Sequence, residues 1–280
     1  MKRIFSIFLI LGLIGLCLPA QSQAQSKFNL RLYGGLNMLG GGDLNAGAEG
    51  WFDFWDYLAT AFGNSTDGEF SPANLGLNFG GDFIFMFNPN MGVGLGAGML
   101  CASKESVMEW SNALYDGTFT HTVKASAIPI RLGFYYFLPA ASNMNIFFNV
   151  GLGYYLAKAN YTMIMEASGS SPETMESDAS GGGLGFHGGL GLELSLSPMF
   201  GIIAELTGRF ASFGGFEGEQ RNGTTESGTL YYFEGDLGTQ TFPVIGVYDT
   251  EPSGSGVSDA REAKVSFTGF SFVIGAVVRF

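Results

Sequence analysis

Charged side chains that alternate with large apolar residues in extended segments are the residues of this 280-residue chain that could do chemistry. Two carboxylates in different environments can act as general acid and general base. Buried carboxylates that are neutralised by arginines instead form a structural ionic network. We expect the structural network and predict no catalytic residue and no enzyme activity. The candidate residues of this network are Arg31, Asp82, Arg131, Glu193, Glu205 and Arg209.

One turn affects whether two of these carboxylates lie opposite each other on neighbouring strands. Ser197 and Pro198 connect the segments that carry Glu193 and Glu205. One register of this hairpin brings the two carboxylates opposite each other, and Arg209 would then bridge to the pair. In that register, Glu193, Glu205 and Arg209 form a connected group.

The histidines offer little support for catalysis. His121 and His187 are the two histidines of the chain, and neither has the clustered ligands of a metal site or the serine and acid of a hydrolase nearby in sequence. The segment GLGFHG over 183–188 has the glycine spacing of a dinucleotide-binding loop, but apolar alternation continues where a helix should begin. We predict no cofactor and no metal. A lipid-modifying enzyme that uses His187 stays a minor alternative.

An aromatic stretch, GWFDFWDYLATAF over 50–62, is the other candidate for function. It departs from two-residue alternation, whereas helical spacing gathers Trp51, Trp55, Leu58 and Phe62 on one stripe. We predict a short amphipathic helix in the first long loop. It either packs on neighbouring loops or presents these four residues to a partner or an apolar solute.

Strands must position all of these side chains, because two-residue alternation dominates the chain. Eight segments show it, from FNLRLYGGL (28–36) to FTGFSFVIGAVVRF (267–280). Short connections alternate with long ones, which is typical of outer-membrane barrels. We predict an all-β fold, a closed antiparallel eight-stranded transmembrane β-barrel with long extracellular loops. The long connections are 38–73, 104–117, 166–183 and 214–263.

The interior of such a barrel follows from its strand number. Hydrocarbon offers no partner for backbone N–H and C=O groups, so a spanning sheet must close on itself. Eight strands leave a lumen that side chains just fill, and we expect Tyr33, Tyr135, Phe147 and Tyr155 there. Two alternatives remain. Strand-like pieces of 228–250 could make ten strands, and a soluble barrel would have its apolar face inside.

The alternating segments and the terminal FVIGAVVRF (272–280) resemble the small outer-membrane β-barrel families of the OmpA N-terminal and OmpX type. AIPIRLGFYYF (127–137) is similar to strands of the broad outer-membrane β-barrel domain families. The resemblance covers nearly all of 25–280. It implies a location in the bacterial cell outer membrane, and recognition of the terminal strand, with Phe280, by the barrel-assembly machinery.

The N-terminus and the charge distribution complete the expectation. Lys2 and Arg3 precede an apolar run, so residues 1–24 are predicted to be a cleaved Sec-type signal peptide and 25–280 a single barrel domain. The net charge is −12, and 38–73 alone carries six carboxylates without a cation. Acidic loops would repel nucleic acid and attract basic partners or divalent cations.

We therefore predict an integral outer-membrane protein, embedded in lipid, with a plugged lumen and a structural or surface-interaction role. The alternative is binding or transport of a small apolar molecule.

Overall fold

The computed structural model describes residues 27–280, so the predicted signal peptide lies outside the described residues. Within 27–280, no helix is long and apolar enough to cross a membrane. The elements in chain order are β1 (Phe28–Gly42), α1 (Asp43–Ala61), β2 (Ser65–Gly68), β3 (Leu75–Asn88), β4 (Met91–Ser111), β5 (Asp116–Ala141), β6 (Met144–Ala167), β7 (Glu173–Ser195), β8 (Phe200–Phe210), β9 (Ser212–Phe213), β10 (Glu217–Asn222), β11 (Thr224–Asp236), β12 (Thr241–Tyr248), β13 (Val257–Glu262) and β14 (Val265–Arg279).

Eight strands form a continuous ring of antiparallel pairings, in the order β1, β3, β4, β5, β6, β7, β8, β14 and back to β1. The N- and C-terminal ends of the ring meet. The Phe28 amide donates to the Phe280 carbonyl (N···O 3.1 Å), and the Phe280 amide donates to the Phe28 carbonyl (3.0 Å). Each ring strand thus has a hydrogen-bonded neighbour on both sides. We call the end with the termini and short turns the lower end.

Large apolar side chains of the ring point outward and are exposed, while alternate residues point inward and are buried. Leu32, Leu95 and Leu132 are each about 60% exposed, whereas Arg31 is fully buried. A water-soluble barrel would have its apolar face inside and its polar face outside, which is the opposite arrangement. The alternative of a soluble barrel is therefore wrong. We call the outward apolar surface the apolar band. Its uppermost residues are Met38, Leu75, Met99, Ile128, Leu156, Leu184, Phe210 and Phe270.

Four strands continue far above the apolar band. β4, β5, β6 and β7 have 21, 26, 24 and 23 residues. The prediction of long loops over 104–117 and 166–183 is therefore wrong, because most of both ranges belongs to these strands and the connections between them are short. The outward residues in these two ranges, such as Glu105, Glu109 and Asp178, are polar, so the sequence there shows no alternation of apolar and polar residues.

A smaller set of strands extends the wall above the ring. β7 pairs with β8 over Phe186–Ser195 and with β10 over Glu176–Ser180. β10 continues to β11, which pairs with β12 and β13. The strand-like pieces of 228–250 are thus a hairpin above the ring, as the simpler interpretation predicted. They are not a ninth and tenth ring strand.

The predicted helix is present and longer than expected, since α1 has 19 residues. Gly41 and Gly42 have φ values of 70° and 65°, a left-handed conformation that glycine adopts without a steric penalty. They let the chain pass directly from β1 into α1. Asp43 in the first turn suits the positive end of the helix dipole and pairs with Arg261 (Nη1···Oδ2 2.6 Å).

Candidate functional site

The lower interior consists of the inward side chains enclosed by the ring at the level of the apolar band. Arg31 and Glu193 form its most buried ion pair (Nη2···Oε2 2.7 Å). Arg279 contacts the other oxygen of Glu193 (Nη2···Oε1 2.7 Å). One carboxylate is therefore neutralised by two guanidinium groups. The Arg31 guanidinium is also surrounded by three aromatic rings, those of Tyr135, Phe137 and Phe147.

A second ion pair lies across the lower interior. Arg131 contacts Asp82 (Nη2···Oδ1 2.9 Å) and also donates to the Tyr33 hydroxyl. Charge and aromatic surface therefore combine here as they do around Arg31. The four aromatic residues that were expected inside are all buried, namely Tyr33, Tyr135, Phe147 and Tyr155.

The expected contact between Glu193 and Glu205 is absent. β7 and β8 begin to pair at Ser195 and Gly201, which places Glu193 opposite Ile203. A meeting of the two carboxylates would need a register shifted by two residues. The prediction that Glu193 faces Glu205 is wrong, because the geometry of the turn sets the register and the sequence of the hairpin does not reveal it.

Glu205 and Arg209 are inward and buried, but each has its own partners. Glu205 accepts hydrogen bonds from Asn149 (2.8 Å) and Thr207 (2.7 Å). Arg209 donates to the Ser271 hydroxyl and to acceptors on β1 and β14. Arg209 therefore does not bridge the carboxylates, and the predicted network consists of separate groups.

The chemistry of the lower interior is neutralisation of buried charge. Asp82 and Glu193 are ion-paired, and Glu205 is held by amide and hydroxyl donors. His187 is buried, and within residues 27–280 it makes no hydrogen bond to a carboxylate. Buried charges that are paired in this way restrict side-chain motion and stabilise a particular packing.

The upper interior is the space inside the long strands above the apolar band. The buried face of α1 includes Leu44, Ala48 and Phe52. The Phe52 ring lies 6.0 Å from the Phe119 ring of β5. Ile245 of β12 is fully buried beside the helix. Here the helix and β12 supply an apolar core to a wall of strands.

The four residues of the predicted helical stripe are not one surface. The Trp51 indole donates to a carbonyl of β12 (2.9 Å), and the Trp55 ring packs 5.9 Å from the Phe119 ring. Leu58 is half-buried, while Phe62, just after the helix, is 79% exposed. The packing alternative therefore applies to both tryptophans. The stripe divides because α1 begins at Asp43 and turns its N-terminal half inward.

His121, for which the sequence indicates neither a metal-binding nor a catalytic role, is a buried titratable group. It is fully buried, with the rings of Phe70, Phe119 and Tyr161 about 6 Å away. Within residues 27–280 neither imidazole nitrogen makes a hydrogen bond of good geometry. Burial disfavours the charged imidazolium and lowers the pKa of His121 to about 4, although the nearby Ala48 backbone acts to raise the pKa of the imidazole. Phe119, His121 and Val123 follow one another at two-residue spacing. This spacing indicates from the sequence that all three side chains lie on the same face of the strand.

The upper end carries exposed apolar and acidic side chains. Phe62 and Leu114 are each about 80% exposed, and Tyr115 is 58% exposed. An open hollow of about 570 Å³ lies at the tips of β2, β4, β5 and β6. Among residues 27–280, no group of three or more His, Cys, Asp or Glu side chains is placed to hold a metal ion. The carboxylates lining the hollow are Asp67, Glu109, Asp116 and Glu166.

Phe280 lies at the lower rim of the ring. Its ring centroid is 6.1 Å from that of Phe28 and 6.2 Å from that of Phe83. The side chain is 56% exposed on the outward face. The terminal aromatic residue therefore joins a cluster of aromatic rings where the ring of strands closes.

Comparisons with known proteins give one family and two solved structures. The sequence matches the outer membrane protein beta-barrel domain family over residues 8–230. The outer membrane protein OprG from Pseudomonas aeruginosa is 14% identical over 94% of this chain and 99% of that chain, with a TM-score of 0.43. Ail, the attachment invasion locus protein of Yersinia pestis, is 14% identical over 91% and 99%, with a TM-score of 0.27. A search of curated proteins finds no match.

Proposed function

The chain belongs to the outer membrane protein beta-barrel domain family, and we propose that it is an eight-stranded transmembrane barrel with a plugged lumen and a structural or surface-interaction role. The observation that carries the proposal is the Arg31–Glu193–Arg279 group with its three aromatic rings, at the level of the apolar band. Eight strands leave room for side chains and not for a diffusion path.

Conductance across a planar lipid bilayer tests the plugged lumen. The refolded mature chain is expected to give no steady conductance, because buried ion pairs and rings occupy the lower interior. An Arg31→Ala/Phe147→Ala variant lacks side chains at the centre of that packing. This variant serves as the comparison and should conduct ions. Steady conductance of the unaltered protein would overturn the proposal.

The proposal also orients the chain. Barrels of this kind have short periplasmic turns and longer extracellular segments. The upper end, where β4 to β7 rise far above the apolar band, would therefore face outside with its carboxylates. That surface suits a basic partner or divalent cations and disfavours nucleic acid. A leader over 1–24 would direct export, and the terminal strand with Phe280 would be read by the barrel-assembly machinery.

Labelling of intact cells tests the orientation. In a Cys101→Ser background, a membrane-impermeant maleimide should label Ser170→Cys, in the β6–β7 turn. It should not label Ser142→Cys, in the β5–β6 turn at the lower end. Labelling of Ser142→Cys alone would reverse the orientation.

Binding of a small apolar molecule is the second candidate, favoured by the exposed Phe62, Leu114 and Tyr115 at the upper end. A fluorescent apolar probe should then bind the protein in detergent and lose affinity in Phe62→Ser/Leu114→Ser. Equal probe binding by both proteins would remove this candidate.

A further inference from the structure

Two lysines lie on the outward face immediately above the apolar band. Lys124 on β5 and Lys158 on β6 are both exposed. Lys124 pairs with Asn160, and Lys158 pairs with Ser126. The lysines are therefore diagonal neighbours on adjacent strands, with Cα atoms about 7 Å apart, and their ammonium groups can reach one anion.

Neither lysine is neutralised by the protein. The ion pairs within residues 27–280 all use arginine. The nearby Asp178 carboxylate instead accepts a hydrogen bond from Asn160 (2.7 Å). Glu105 on β4 is a diagonal neighbour of Lys124, as Asp178 on β7 is of Lys158, but neither carboxylate forms an ion pair with its lysine. Two ammonium groups that lie beside each other without an ion-pair partner indicate a site for an anion from outside the chain.

A third donor lies below Lys158. Tyr154 is outward and 47% exposed. Its hydroxyl lies 3.3 Å from where a Cβ on Gly182 would stand, and Gly182 pairs with Leu156, one row below Lys158. The ring thus leans upward and toward β7, across the space that glycine leaves, which brings the hydroxyl below Lys158 and on the side of β6 away from β5. Its hydroxyl has no hydrogen-bond partner in the described part of the chain.

An apolar floor lies directly beneath these donors. Ile128, Leu156 and Leu184 are the top residues of the apolar band on β5, β6 and β7, and are 50%, 49% and 73% exposed. Cationic and aromatic residues at such a boundary lie at the level of lipid headgroups. A molecule that fits both parts has a phosphate group and an acyl chain.

We propose that Lys124, Lys158 and the Tyr154 hydroxyl bind the phosphate of an acyl lipid in the surrounding leaflet. Its chain lies on Ile128, Leu156 and Leu184. The proposal rests on the membrane-spanning arrangement proposed above. It goes beyond that arrangement by naming a lipid-binding site on one side of the wall. The phosphate is the shared chemistry, and the acyl chain distinguishes a membrane lipid from free phosphate.

Native mass spectrometry of the refolded mature chain in mild detergent tests the site, with diphosphoryl lipid A as the probe. The unaltered protein should retain the lipid. Lys124→Ala/Lys158→Ala should weaken retention about thirty-fold, because each charge lost near a membrane surface reduces binding about fivefold. Lys124→Arg/Lys158→Arg should keep most of it, and Tyr154→Phe should lose a few-fold.

The controls separate this site from general attraction. Lys27→Ala/Lys264→Ala removes the same charge elsewhere and should bind as the unaltered protein does. If fully dephosphorylated lipid A were retained at the same level, the phosphate group would not be what the site recognises. If inorganic phosphate bound equally tightly, the ligand would not need to be a lipid. Unchanged retention by Lys124→Ala/Lys158→Ala would overturn the site.

Heat-dependent gel migration shows that each variant is folded. If the proposed barrel itself were wrong, even the unaltered chain would stay dissolved without detergent, which is a different failure.

Discussion

The lower interior around Arg31 and the upper interior around Phe52 are both enclosed by β4 to β7, yet different chemistry fills them. In the lower interior, guanidinium–carboxylate pairs lie among aromatic rings. In the upper interior, α1 and β12 pack apolar side chains against the long strands, with one buried imidazole. The outward face changes at the same level, from Ile128 and Leu156 to Lys124 and Lys158.

This difference shows that the medium around the wall, lipid or water, determines whether polar or apolar side chains fill the interior. Where lipid covers the outside, apolar side chains are already away from water and can point outward, so the interior can be polar. Where water surrounds the wall, apolar area must be buried inside to stabilise the fold. Inward residues accordingly become small or apolar above the band, as at Ala125, Ala157 and Ala159.

Removal of Arg31 should have the largest effect on the lower interior. Arg31→Met leaves Glu193 with the Arg279 guanidinium alone as its ion-pair partner in the described part of the chain. It also removes the cation from among the three aromatic rings. We expect a loss of about 4 kcal/mol in the free energy of unfolding. Urea unfolding in lipid vesicles measures it. Arg221→Met is the matched control, because the Arg221–Glu219 pair is exposed and should contribute about 1 kcal/mol or less. Equal losses would mean that burial does not distinguish the pairs.

Removal of Phe52 should break the upper interior alone. Phe52→Ala leaves a cavity between α1 and β5, and we expect a loss of about 3 to 4 kcal/mol in local stability. Hydrogen exchange of the α1 amides measures this loss. Phe62→Ala, at an exposed position, should change exchange little. If Phe52→Ala also accelerated exchange throughout the ring, the two interiors would be one cooperative unit.

Acid should destabilise the upper interior through His121. Its pKa is about 4 in the fold and about 6.5 in an unfolded chain, so the unfolded chain binds more protons between these values. Stability is therefore lost as the pH falls from about 6.5 to 4, by up to about 3 kcal/mol. Tryptophan fluorescence during unfolding at pH 7 and pH 4 should detect it. His121→Leu should flatten this dependence, and an unaltered pH dependence would contradict the assignment.

The smallest effect is expected at the contact between helix and hairpin. Trp51→Phe keeps most of the ring but removes the hydrogen bond to the Ile245 carbonyl, which should cost about 1 kcal/mol. The measurement is again hydrogen exchange of α1. Trp55→Phe, which loses no such bond, is the control. If Trp55→Phe lost more local stability of α1 than Trp51→Phe, packing of the aromatic rings would hold the helix more strongly than the hydrogen bond does.

Particular residues show which features of the structure could be predicted from the sequence and which could not. The ring strands, the helix near Trp51 and the inward positions of all six charged residues followed from residue spacing. The extent of β4 to β7 was missed, because polar outward residues such as Lys124 hide the alternation. Partners within the interior were also missed. Glu193 bonds to Arg31, far away in sequence, and the sequence pattern of one hairpin contains no information about the opposite wall.

Residue spacing alone therefore determined the faces of the strands, since period-two alternation assigns each side chain to one side of a sheet wherever that sheet lies. Tertiary structure decided which inward charges meet, where α1 and β12 lie, and which outward residues gather in the row of Lys124 and Lys158. The physical reason is that these contacts depend on strand register and ring closure. A shift of two residues leaves every face unchanged but gives each side chain a different neighbour.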